Sequence, residues 1–85
     1  MNPQDKGFTE TRFDRPFPVT LFPNDGAFNP TSGLAVGVET CNAFGTKRLI
    51  ARYTAPVIRK VSNRVEYWPN ETVYVPGRSV EGWTP

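Results

Sequence analysis

Proline placement constrains this chain more than any other feature. Five of its nine prolines (Pro3, Pro16, Pro18, Pro23 and Pro30) fall within the first thirty positions. Proline fixes φ and removes a backbone donor, so helix and central strand are both discouraged there. The same stretch carries Phe8, Phe13, Phe17, Phe22 and Phe28, at intervals of five, four, five and six residues. Those intervals match neither a helical repeat nor the alternation of a strand. A disordered tail is ordinarily poor in aromatics. The expectation is therefore an extended arm over residues 1–16 whose phenylalanines dock on neighbouring chains.

After Pro30-Thr31-Ser32-Gly33 the pattern changes. Leu34, Val36, Val38 and Thr40 alternate with Ala35, Gly37 and Glu39, a strand signal. Residues 41–46 read as a loop. Residues 47–54 read as a half-buried strand, with a short helix on Leu49, Ile50 and Tyr53 as the alternative, and Pro56 ends either one. Val57 to Val61 and Arg64 to Trp68 are expected to pair across a tight turn at Ser62-Asn63. Pro69-Asn70 makes a further turn, Thr72 to Val75 a last strand, and Pro76-Gly77 a stop. Val, Ile, Thr, Phe, Tyr and Trp total 31 residues against three leucines, which agrees with β structure. The fold class expected is all-β: a five- or six-stranded sandwich or barrel over residues 17–75, its core mainly 34–75. A short C-terminal arm over residues 76–85 carries Trp83.

Eighty-five residues leave room for one domain. Small domains commonly need disulfides, metals or partners for stability. Cys41 is the single cysteine and histidine is absent, so an internal disulfide is excluded and the usual zinc ligand set is missing. Partner contacts are what remains. The same absences argue against an enzyme, since the commonest general base and any Cys–His pair are lacking. Glu66 and Glu71 flank a turn and read as solvated charges. Phe44-Gly45-Thr46-Lys47 lacks the order of a phosphate loop. No catalytic, cofactor-binding or metal-ligating residue is nominated, and no small-molecule substrate is expected. The triplet Asn70-Glu71-Thr72 matches the glycosylation sequon but is read as chance.

No apolar signal segment and no membrane span are visible, and one reduced cysteine fits synthesis in the cytoplasm. The net charge of +2 is unevenly placed. Residues 1–45 sum to −2 and residues 46–85 to +4. Lys47, Arg48, Arg52, Arg59, Lys60 and Arg64 lie within eighteen residues that contain no acid. With Tyr53, Tyr67 and Trp68 nearby, they form a candidate nucleic-acid surface, cations for phosphates and rings for bases. The competing reading is charge that keeps edge strands soluble or pairs with acids on a neighbouring chain.

The functional expectation is a non-catalytic structural component of a multi-subunit, symmetric assembly. Its setting would be a viral or phage particle: a minor capsid, cement or head–tail protein. The arm anchors would be Phe8, Phe13, Phe17 and Trp83. A small single-stranded nucleic-acid-binding barrel is the first alternative, and an accessory subunit of a large enzyme complex the second.

Overall fold

The computed structural model describes residues 7–83, with nothing described for the side chain of Arg78. Residues 1–6 of the expected N-terminal arm and residues 84–85 of the C-terminal one lie outside that range. Seven strands follow one another: β1 (Phe8–Leu21), β2 (Thr31–Cys41), β3 (Lys47–Tyr53), β4 (Val57–Arg59), β5 (Arg64–Tyr67), β6 (Thr72–Pro76) and β7 (Val80–Glu81). Five form one antiparallel sheet in the order β6-β3-β2-β1-β7, curled into a half-barrel, and β4-β5 form a separate two-stranded sheet. The fold is all-β, as expected.

The expectation over residues 8–16 needs correction in one respect. The backbone is extended there, but it is the first half of β1, paired with β2 from Phe8↔Cys41 to Leu21↔Thr31. The prolines are admitted because a missing donor matters only where a ladder needs it. Pro16 sits in an irregularity between Arg12 and Phe17, where β1 advances five residues while β2 advances two. Pro18 lies on a strand whose outer neighbour, β7, reaches only Thr20 and Leu21. Bulges and edges are the places where a strand tolerates proline. The C-terminal segment also returns to the sheet: after a 3-10 turn at Gly77–Ser79, β7 pairs with β1 and buries Val80.

The ladder between β2 and β3 slips at the same height, between Ala35 and Gly37. Gly37 makes the close approach of β1 possible. A Cβ there would lie 2.6 Å from the Thr11 carbonyl oxygen, a contact that backbone cannot relieve cheaply.

β3 is a strand, and the helical alternative fails for a positional reason. It lies between β2 and β6 and pairs on both sides, so its backbone groups are satisfied laterally. Leu49, Ala51 and Tyr53 then share one face at 0–1% exposure. They join Val19, Leu21, Ala35, Val57, Val75 and Val80 in the core. Four rings close one end of it. Tyr53 stacks on Tyr67 at 5.1 Å and on Phe22 at 6.4 Å, while Phe28 lies 5.1 Å from Phe22 and 6.2 Å from Tyr67. The Phe22–Phe28 segment is shaped by Asp25, whose Oδ1 accepts from the N–H groups of Ala27 at 2.7 Å and Phe28 at 3.2 Å. This is the local bond that makes aspartate a turn residue.

The turn at Pro69-Asn70 forms as expected. Asn70 takes φ of 69°, and the Glu71 N–H donates to the Trp68 carbonyl at 3.1 Å. Proline followed by a positive-φ asparagine is the pattern of a type II turn. The other expected turn is longer than two residues. β4 stops at Arg59 and β5 starts at Arg64, and in the connection only Asn63 has positive φ, at 53°. A two-residue type I′ turn requires positive φ at both centres, which Ser62 does not supply.

Candidate functional site

Cross-strand partners share a face of the sheet, so register alone assembles the charged side of this molecule. One row runs Arg12, Gly37, Ile50 and Tyr74; the next runs Glu10, Glu39, Arg48 and Pro76. Ile50, within the first row, is fully buried. The Tyr74 hydroxyl donates to Glu10 Oε1 at 2.9 Å, although β3 and β2 lie between their strands. Three strand spacings on a flat sheet amount to about 14 Å, so at this end the charged face is itself concave.

Within that hollow Glu39, only 7% exposed, forms an ion pair with Arg48, whose Nε donates to Glu39 Oε1 at 3.1 Å. The Arg48 guanidinium also lies over the Phe8 ring at 5.2 Å and the Tyr74 ring at 5.7 Å, an arrangement that favours the cation electrostatically. Arg12 contacts Glu10 Oε2 at 3.2 Å. The hydrogen bond to Glu10 raises the Tyr74 phenol above its ordinary pKa, with desolvation adding to it. Two acids and two arginines therefore settle one another, so each cation named here already has a carboxylate partner among the described residues.

The two-stranded sheet has the opposite character. Arg59 and Arg64 are direct cross-strand partners, both exposed, with Lys60 following on the same hairpin. Among the described residues no carboxylate is in ion-pair contact with any of the three. Lys60 Nζ reaches the backbone carbonyl of Asp25, at 3.5 Å. Val61 at the tip is 79% exposed.

The six basic residues singled out in the sequence are thus divided. Arg48 is bound to Glu39. Arg52 shares its face of β3 but is exposed, and Lys47 is exposed at the start of the strand. Arg59, Lys60 and Arg64 stand together on the hairpin. Comparison with known protein families, with characterised proteins and with solved structures gives no match. The reading of these surfaces rests on their chemistry alone.

The aromatic anchors divide as well. Phe13 and Phe17 lie 5.3 Å apart and pack, partly buried, against this chain's own core, and so does Trp83. They have a place at home, contrary to the expectation that they lacked one. Phe8 is 54% exposed, with the Arg48 guanidinium over its ring. Two buried groups escaped the sequence reading: Glu39, and the Tyr53 hydroxyl, which has no hydrogen-bond partner among the described residues. A hairpin centred on Ala43 and Phe44 would have placed Glu39 opposite Arg48. Burial, with smaller effects from Tyr67 and Glu71, pushes the Tyr53 phenol far above its ordinary range.

No grouping of three or more metal-ligating side chains occurs among the described residues, and none of their helices is long and apolar enough to cross a membrane. A shallow surface groove of about 400 Å³ runs beside Pro18, Thr20, Leu34, Thr54 and Glu81.

Proposed function

We propose that this chain is a non-catalytic component of a multi-subunit assembly, joined to a neighbouring chain by strand addition along the outer edge of β1. The observation that carries this reading is the directional state of that edge. Asn42 N–H donates to the Gly7 carbonyl at 3.1 Å, and Cys41 N–H donates the other way, to Thr46, at 2.8 Å. Backbone groups alternate in direction along a strand. Gly7, Thr9 and Thr11 therefore face β2, while Phe8, Glu10 and Arg12 turn their N–H and C=O groups outward.

Among the described residues no strand meets them, because β7 ends its pairing at Thr20. An unpaired edge is a template for another chain, with backbone bonds supplying affinity and side chains supplying choice. Phe8 and the charged pair Glu10 and Arg12 would make that choice. The prolines and the bulge at residues 13–16 blunt the rest of the edge, which confines the docking segment to its first five residues.

The test uses a substitution that the fold should tolerate. Glu10→Pro removes an outward donor and leaves the β1–β2 bonds intact. Because it also takes the carboxylate from Tyr74 and Arg12, Glu10→Ala, which keeps the donor, is the control. Only the loss of mass beyond that control is assigned to the edge. Wild-type chain purified from its native setting should show a mass several times that of the monomer by light scattering. The Glu10→Pro chain should show the monomer mass with an unchanged far-ultraviolet circular dichroism spectrum. Monomeric wild-type chain from that setting would overturn the reading.

A further inference from the structure

The β4–β5 hairpin is held firmly while its charges go uncompensated. Val57 is fully buried at its base, and Tyr67 is stacked on Tyr53. A bridge joins Phe28 to Arg59, the Asn29 N–H donates to the Ile58 carbonyl at 3.1 Å, and the Lys60 N–H donates to the Ala27 carbonyl at 2.9 Å. Against this fixed frame, Arg59 directly opposite Arg64 is a destabilising arrangement, since like charges repel across a ladder. A sequence that needed only solubility could have placed one acid there.

We infer that the hairpin is a contact site for the phosphate backbone of nucleic acid. Arg59 and Arg64 each take one phosphate, Lys60 takes a third, and Val61 lies at the tip against sugar or base. Three features favour this ligand over an acidic protein. The opposed arginines present two separate donor forks side by side, which suits a polymer carrying a singly charged group at every residue. A two-stranded ribbon fits the major groove of a duplex, which is about 12 Å wide. An apolar residue at the centre of the cations would be left exposed by a surface of carboxylates, whereas nucleic acid offers apolar sugar and base edges. Arg48 is excluded from the site by its ion pair with Glu39. The inference stands independently of strand addition on β1, which lies on the other sheet.

The experiment measures binding of the full chain to fluorescently labelled single-stranded and duplex DNA of about 20 nucleotides by anisotropy, between about 50 and 200 mM salt. Three phosphate contacts predict a log–log salt slope of about −2.7 on duplex, a loss of roughly fortyfold across that range. The double variant Arg59→Ala/Arg64→Ala should bind at least about tenfold more weakly at low salt, with a slope near about −0.9. It should remain folded, because the change relieves repulsion. Lys47→Ala/Arg52→Ala should bind within about twofold of wild type, since neither residue lies on the hairpin. Tighter binding to either probe supports the site and assigns the strand form it takes. Absence of binding at low salt, wild-type binding by the folded Arg59/Arg64 variant, or displacement of the probe by polyglutamate at equal charge would overturn it.

Discussion

Two hairpins of this chain make opposite use of a cross-strand charge. In β2–β3 the facing residues are Glu39 and Arg48, paired, with the carboxylate buried and the guanidinium held over two rings. In β4–β5 the facing residues are Arg59 and Arg64, exposed and unpaired among the described residues. The first pair is complete inside the fold. The second has a geometric partner that repels it, so its compensation has to come from solvent ions or from another molecule. Counting basic residues hides this distinction, which only their register reveals.

The largest test of the contrast removes the settled cation. Arg48→Ala strands the Glu39 carboxylate in a site that is nearly closed to water, and should cost about 3 kcal/mol of unfolding free energy in urea titration. This is the low end for a broken buried pair, because Arg48 is itself half-exposed. Adding Glu39→Gln to that variant should recover most of the loss. If Arg48→Ala proves neutral, the pair is decoration and the contrast between the hairpins disappears.

A smaller effect of opposite sign is expected on the other hairpin. Arg64→Glu turns repulsion into attraction across the β4–β5 ladder and should stabilise the isolated chain by about 0.5 kcal/mol in the same measurement. A loss of stability would mean that Arg64 already has a favourable contact at home.

The smallest effect is spectroscopic. Ultraviolet titration should show Tyr74 ionising above the ordinary tyrosine value in wild type and closer to it in Glu10→Gln. The folded phenol holds its proton more tightly than the unfolded one. Its contribution to stability is therefore complete below about pH 10 and is lost as pH rises through the folded value. Wild-type-like ionisation of Tyr74 in Glu10→Gln would mean that the Glu10 carboxylate is not what holds the phenol proton.

Much of the sheet was legible in residue order. The alternation from Leu34 to Thr40 marks β2, and Pro69-Asn70 marks its turn, because both signals are local and depend on few neighbours. β1 was hidden for a physical reason. Proline's cost is directional, falling only on positions whose donor is needed, and which positions those are depends on where the partner strand lies. The same holds for Phe13, Phe17 and Trp83, whose irregular spacing is that of a strand with a bulge and a tail that folds back. The basic residues were visible as a run from Lys47 to Arg64. Their division into a neutralised arginine and a bare hairpin follows from two turn centres, and one of those turns was expected to be shorter than it is.

Both ladders of β2 slip beside Val36, one between Arg12 and Phe17 on the β1 side and the other between Ala35 and Gly37 on the β3 side. Pairing is thus interrupted along a single line across three strands, and such interruptions bend and twist a sheet locally. That line is a crease. It separates the end of the sheet that carries Phe8 to Arg12 and the Glu39–Arg48 pair from the end closed by the rings around Tyr53.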